Sequence, residues 1–105
     1  MISRIWHGWT SHENADRYEH ILKTEVMHEI EGKEVEGFKE IRLLRRAHET
    51  EVEFITIMQF ERLEDIRKFA GEDYERAFVP DVARAVLKRF DATSQHYEVR
   101  HELTY

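Results

Sequence analysis

The chain has 105 residues, of which 41% are hydrophobic and 36% charged, and this is the composition of one folded domain spanning residues 1–105 rather than of a disordered segment. Its net charge of −6 argues against nucleic-acid binding, and the absence of cysteine excludes disulfides, thiolate metal sites and cysteine nucleophiles. No apolar run is long enough for a membrane span and no signal-peptide pattern opens the chain, so we expect a cytoplasmic protein without a membrane partner.

The first two predicted elements are a strand and a long helix. Residues Ile2–Thr10 have the composition of a strand, with apolar residues on both of its faces. The sequence Thr10-Ser11-His12-Glu13 then offers a capping box for a helix that runs to about Ile30 and is ended by Gly32. The apolar positions of this helix recur at helical spacing, at Ala15, Tyr18, Leu22, Val26 and Ile30.

The middle of the chain predicts two strands joined as an antiparallel hairpin. Val35–Glu49 is long for one strand, so a bulge or bend is expected near Gly37. His48–Glu51 is a polar turn, and Val52–Phe60 follows as the most strongly β-forming stretch of the chain. Because both faces of Val52–Phe60 carry apolar residues, we expect this strand at the centre of the sheet.

The last third predicts two helical segments and a closing strand. Leu63–Ala70 is a short helix that ends at Gly71, and Tyr74–Phe78 is expected to add a further turn. A last helix begins at Pro80, and Asp91–Leu103 closes the chain as a strand. The apolar side of the last helix is predicted to consist of Val82, Ala83, Val86, Leu87 and Phe90.

The predicted order is β-α-β-β-α-β, the order of the ferredoxin-like fold, an α+β class in which helices cover one face of a four-stranded antiparallel sheet. The other sheet face still carries apolar residues, whichever of Trp6 and Trp9 points toward the helices. A wet apolar patch of that size is uncommon on soluble monomers. We therefore expect a homodimer formed through the open sheet face around a two-fold axis.

Several short motifs resemble the antibiotic biosynthesis monooxygenase-like (ABM) domains of the dimeric α+β barrel superfamily. They are Arg4-x-Trp6-x-Gly8, the strand-to-helix join Phe60-Glu61-x-Leu63-Glu64-Asp65-Ile66, the helix end Phe69-Ala70-Gly71, and the tail Ala83-Arg84-x-x-Leu87-x-x-Phe90-Asp91 with His96-Tyr97-Glu98-Val99. The resemblance spans nearly the whole chain, and it implies a homodimeric barrel with a ligand cavity between helices and sheet in each protomer.

Two alternative functions are open: the resemblance implies the first, and the ordinary packing explanation of each candidate residue leaves room for the second. Some members oxidise small aromatic, quinol-like compounds with O2 and without a metal or flavin, so one expectation is a cofactor-independent monooxygenase. The alternative is a non-catalytic or stress-related dimeric module of the same fold that binds a small hydrophobic or aromatic molecule. The haem-degrading branch carries a histidine ligand where this chain has Phe78-Val79-Pro80, and a tryptophan near the position of Phe69. This difference argues against haem, and no cofactor is expected.

His96 is the candidate catalytic residue, because an imidazole in mid-strand could act as a general base near neutral pH. A structural histidine, hydrogen-bonded to a neighbour, explains the same position.

Gly8 is expected to leave room for a ligand beside Trp6. The seven histidines show no metal-binding spacing, so no metal ligands are assigned. The candidate substrate-binding residues, each of which also has an ordinary packing explanation, are Arg4, Trp6, Tyr18, Phe69, Tyr74 and Phe78.

Overall fold

An antiparallel β-sheet forms the centre of the computed structural model, which describes residues 1–105. The strands lie in the order β2-β3-β1, and both short C-terminal strands pair with the free edge of β1, so that β1 and β3 are central. In chain order the elements are β1 (Ile2–Thr10), α1 (Ala15–Ile21), α2 (Met27–Gly32), β2 (Phe38–Ala47), β3 (Val52–Phe60), α3 (Leu63–Ala70), α4 (Asp81–Arg84), β4 (Arg89–Phe90) and β5 (Gln95–Glu98).

The elements with the strongest local patterns lie where the sequence predicts them. Strands β1 and β3 and helix α3 have the predicted boundaries, and β3 pairs on both sides, as its two apolar faces indicate. The expected irregularity near Gly37 is a register shift between Phe38 and Glu40 in the pairing of β2 with β3. The α+β class and the antiparallel sheet are therefore confirmed.

The first helix differs from its prediction at both ends. Thr10 belongs to β1, where its side chain is fully buried, so it cannot cap a helix. The hydroxyl of Ser11 instead accepts a hydrogen bond from the Asn14 backbone amide at 3.2 Å in a turn before α1. At the other end Gly32 is the last helical residue, and Glu34, with φ of 50°, takes the left-handed conformation.

The C-terminal third is less helical than predicted. Tyr74–Phe78 forms turns and irregular backbone, and α4 ends at Arg84, so the prediction that Phe90 lies on a helix is wrong. Phe90 pairs with Gly8 in the sheet. The closing strand is split into β4 and β5, because residues 92–94 leave β1 to pair with residues 75–77. Their amide-to-carbonyl distances are 2.9 Å for Ala77 to Ala92 and 2.7 Å for Ser94 to Glu75.

The strand register determines which side chains face the helices. Trp6 lies opposite Thr56 on the covered face, among the buried residues of β3, whereas Trp9 lies on the open face. The open face carries Ile5, Ile55 and Ile57, which are half-buried in the single chain.

None of the helices combines the length and apolar character that crossing a membrane requires.

Candidate functional site

A mostly apolar cavity of about 220 Å3 lies between the covered face of the sheet and the helices. It is the place where the sequence-predicted site residues converge. Five of them, Arg4, Trp6, Tyr18, Phe69 and Phe78, line the cavity directly. The other two, Tyr74 and His96, stand behind Arg4 and are hydrogen-bonded to it.

The floor of the cavity comes from β1 and β3, whose even-numbered residues face the helices. The indole nitrogen of Trp6 donates to the carbonyl oxygen of Asp91 at 2.8 Å, which fixes the ring along the sheet. The space above Gly8 is occupied by this ring, since a Cβ at residue 8 would lie 2.8 Å from Cη2 of Trp6 and 3.2 Å from Cδ2 of Leu87. The expectation that Gly8 leaves room for a ligand is therefore wrong: Gly8 leaves room for Trp6.

The helical wall contains a feature that sequence reasoning missed. Residues Leu22–Val26 form a π-helical turn between α1 and α2. The apolar residues of this wall recur every four positions, and a π turn brings such a spacing back onto one face because it holds more residues than an α turn. The strict four-residue spacing was the available signal. The side chains that it aims at the cavity are those of Tyr18, Leu22, Val26 and Ile30.

Tyr18 closes the inner end of this wall. It is 1% exposed and packs edge-on against Phe54, with 4.9 Å between the ring centroids. Burial raises the pKa of its hydroxyl above the ordinary value, so Tyr18 stays protonated at neutral pH. Its contribution to the site is shape rather than proton transfer.

The outer wall is formed by α3 and the irregular segment after it. The ring of Phe69 packs against Phe60 at 5.3 Å, and its carbonyl oxygen accepts a hydrogen bond from Lys33 Nζ at 2.9 Å. Residues 76–80 run along the opening of the cavity. Phe78 is 73% exposed there, so it lines the mouth rather than the interior.

Arg4 is the polar centre of the site. Its side chain projects from the middle of β1 and is only 6% exposed, yet no carboxylate pairs with it. Its Nη1 donates to the carbonyl oxygen of Tyr74 and to His96 Nε2, the latter at 2.9 Å. Burial lowers the pKa of the guanidinium to about 10, so it remains a cation at neutral pH.

His96 lies directly opposite Arg4 in the pairing of β5 with β1, and its ring packs edge-on against Tyr74 at 5.3 Å. Burial, and then the charge of Arg4, lower the pKa of His96 below its ordinary value, while the charge of Glu75 opposes them. A guanidinium can only donate, so Nε2 is the acceptor and the ring proton lies on Nδ1. The lone pair that a general base would use is therefore occupied by Arg4 in this structure.

The fold and the site together define an α+β domain with an aromatic-lined cavity and one buried, carboxylate-free cation in its wall. No three His, Cys, Asp or Glu side chains lie close enough together to hold a metal ion. A comparison with protein-family models finds no family that matches the chain, and a comparison with curated proteins finds no relative.

Proposed function

We propose that the chain is an ABM-like domain of the dimeric α+β barrel type, and that it is a cofactor-independent monooxygenase for a small aromatic, quinol-like compound. The strand order supports the ferredoxin-like part of this proposal: β3 lies between β1 and β2, and β4 and β5 lie at the outer edge of β1. The resemblance of the quoted motifs to ABM domains supports the choice among proteins of this architecture.

The open sheet face supports the homodimer. Its centre is apolar, with Ile5 and Ile57 directly opposite each other. One charged group on this face, Glu53, is already paired within the chain, since it accepts from His7 Nδ1 and His48 Nε2, each at 2.9 Å. Satisfied polar groups can be buried at low cost, so a second copy can cover Glu53 and its two histidines without leaving them unpaired. An isologous contact of two such faces is the barrel arrangement that we propose.

The observation that carries the proposed substrate class is the lining of the cavity. Aromatic and aliphatic side chains dominate it, with Trp6 on the floor and Phe69 on the wall. An apolar cavity of about 150 Å3 holds benzene, so the cavity of about 220 Å3 suits one ring or a small fused system. Flat apolar walls with few polar groups favour an aromatic ligand over a sugar or a nucleotide.

The proposed reaction takes its electrons from the substrate itself. In an anthrone, or in the keto tautomer of a naphthol or hydroquinone, a ring carbon carries two hydrogens and loses one as a proton. The carbanion forms a C–O bond with O2, and the peroxide anion takes the proton back. The resulting hydroperoxide then eliminates water and leaves a carbonyl group, so one oxygen atom enters the product and the other enters water. His96 is the proposed base, and it can take the proton at Nε2 only when that atom is not accepting the hydrogen bond from Arg4.

The test of this proposal is O2 consumption by the purified protein with a panel of hydroquinones, naphthols and anthrones. Turnover is expected with at least one member of the panel, and it should be lost in His96→Ala while sedimentation still shows a dimer. The same assay with Thr24→Ala, a change on the exposed side of the helical wall, is the control for the handling of a variant. Absence of O2 uptake with every compound would refute the enzymatic proposal.

The second candidate is a non-catalytic, dimeric ligand-binding or stress-related module. It is favoured by one observation, the hydrogen bond from Arg4 that occupies His96 Nε2. In this case aromatic compounds should bind in the cavity and quench the fluorescence of Trp6 without any O2 uptake. Binding with turnover supports the enzyme, and binding without turnover supports the module.

A further inference from the structure

Arg4 presents an unused edge of its guanidinium. Nη1 is fully engaged by Tyr74 and His96, but Nε and Nη2 have no acceptor within the chain. Neither atom is sealed away from solvent, because the only fully buried side-chain polar atom without a partner is Oγ1 of Thr10. Since Arg4 lines the cavity, two N–H donors remain available to a molecule inside it.

The geometry of these two donors is specific. The N–H groups of Nε and Nη2 lie side by side on one edge of the planar guanidinium and point the same way. This edge matches the two oxygens of a carboxylate, which accepts two parallel hydrogen bonds from it. A neutral hydroxyl or a carbonyl group can satisfy only one of the two donors.

The charge around the cavity favours the same ligand chemistry. Three cationic side chains, Arg4, Lys33 and Arg76, line the cavity, and Glu29 is the only carboxylate among the lining residues. None of these four makes an ion pair within the chain. An anion entering the cavity therefore meets uncompensated positive charge in an apolar setting, where attraction is screened less than in water.

We propose that the ligand of this cavity is an aromatic carboxylate, with its carboxylate on the Nε and Nη2 edge of Arg4 and its ring between Trp6 and Phe69. His96 and Tyr74 act as positioning groups, because their hold on Nη1 turns the other edge of the guanidinium toward the ligand. This inference rests on the cavity that the proposed function also uses, but it does not depend on the reaction.

The test compares two probes of the same shape, 2-naphthoate and its neutral amide, 2-naphthamide, by calorimetric titration at pH 7.5. We expect naphthoate to bind the wild-type dimer at least about tenfold more tightly, the scale of one charge-assisted contact. Arg4→Met should remove this preference, and Arg4→Lys, which keeps the charge but lacks the paired donors, should retain only part of it. His96→Gln should retain more of the preference than Arg4→Met does.

Lys68→Met is the matched control, since it removes a cation from the exposed side of α3, outside the lining of the cavity. It should preserve most of the preference for naphthoate. Circular dichroism identifies any variant that fails to fold, and Arg4→Lys then provides the test in place of Arg4→Met. Equal affinity of wild-type protein for naphthoate and naphthamide would overturn the inference, as would an unchanged preference in a folded Arg4→Met.

A third probe, 2-naphthol, separates a carboxylate from a phenol as the recognised group. Binding of naphthol as tight as that of naphthoate would refute the carboxylate assignment. Failure of the reaction is distinguishable from failure of this inference. Naphthoate preference without O2 uptake removes the monooxygenase and supports the aromatic carboxylate, whereas turnover of neutral quinols without that preference overturns the inference alone.

Discussion

Replacing Gly37 with alanine should destabilise the fold more than any other glycine substitution in the chain. A Cβ at residue 37 would lie 1.9 Å from Oδ2 and 2.0 Å from Cγ of Asp65, far inside van der Waals contact. The backbone at residue 37 cannot easily move away from Asp65, because the carbonyl oxygen of Gly37 accepts a hydrogen bond from the Glu61 amide at 2.9 Å. The buried carboxylate of Asp65 must therefore move.

The magnitude follows from what Asp65 loses when it moves. Its Oδ2 accepts the backbone amide of Arg62 at 3.1 Å at the start of α3, and a charge-assisted bond of this kind contributes about 1.5–3 kcal/mol. Residual overpacking adds to this cost, so Gly37→Ala should lower the free energy of unfolding by about 2–4 kcal/mol. Because α3 carries Phe69, the same change should also loosen the outer wall of the cavity.

The assay is urea unfolding followed by circular dichroism, with two other glycines as controls. Gly32→Ala meets no atom within 4 Å and should stabilise the helix end by about 0.5–1 kcal/mol. Gly71→Ala also meets no atom, but φ of 89° makes alanine strained there, at a cost of about 1–3 kcal/mol.

A double-mutant cycle separates the contact with Asp65 from strain. Asp65→Ala removes the carboxyl atoms but keeps the Asp65 Cβ, which would lie 2.7 Å from a Cβ at residue 37. In this background the cost of Gly37→Ala should therefore shrink by at least about 1 kcal/mol without vanishing, whereas the cost of Gly71→Ala should not change. Purely additive effects at residues 37 and 65 would refute the reasoning, as would a Gly37→Ala protein as stable as the wild type.

Three further predictions concern the open face, the core and pH. Ile57→Lys on the open face should convert dimers to folded monomers in sedimentation; a wild-type monomer, or a variant dimer as tight as the wild type, would contradict the proposed interface. Thr10→Val should raise the free energy of unfolding by about 1 kcal/mol, because the buried Oγ1 has no hydrogen-bond partner; a loss of more than about 1 kcal/mol would show a missed partner. Burial and Arg4 lower the pKa of His96 in the folded state, so stability should be complete above the ordinary value of 6.5 and should fall as the pH drops from there through the folded pKa, by at most about 1.4 kcal/mol per pH unit. Urea unfolding of His96→Gln should show a shallower fall than the wild type in this window, where Glu75 and Arg4 are the charges that influence His96, and parallel curves would refute the assignment.

The sequence predicts β1, β3 and α3 well because their patterns are local. Val52–Phe60 is β-forming at almost every position, and α3 has both an apolar stripe and a glycine stop at Gly71. The C-terminal third was harder because its structure depends on distant partners. Phe90 stands at helical spacing from Val86, but its position in the sheet is set by pairing with Gly8. No local pattern contains that information.

The candidate site was predictable as a set of residues but not as a geometry. Arg4 and His96 are both candidate site residues in the sequence, yet their hydrogen bond joins positions 92 residues apart and depends on the register of β5 against β1. The choice between Trp6 and Trp9 also needed the register, because both faces of β1 carry apolar residues. The sequence also does not show whether a carboxylate pairs with Arg4. The structure answers this, because the neighbours of the guanidinium are the Tyr74 carbonyl and the His96 ring.

The stability of an Arg4→Met protein separates a binding role of Arg4 from a structural one. A buried cation without a carboxylate partner costs several kcal/mol of desolvation, which an apolar replacement of similar volume avoids. The replacement also leaves the carbonyl oxygen of Tyr74 and Nε2 of His96 without their donor, at a cost of about 1–3 kcal/mol. These opposing effects should nearly cancel, so Arg4→Met should change the free energy of unfolding by less than about 1 kcal/mol while it removes the preference for naphthoate. If Arg4→Met instead loses about 3 kcal/mol or more of its free energy of unfolding in urea, the role of Arg4 is structural. Its hydrogen bonds would then stabilise the packing of β1 against the segment at Tyr74, and its burial would be explained without a ligand.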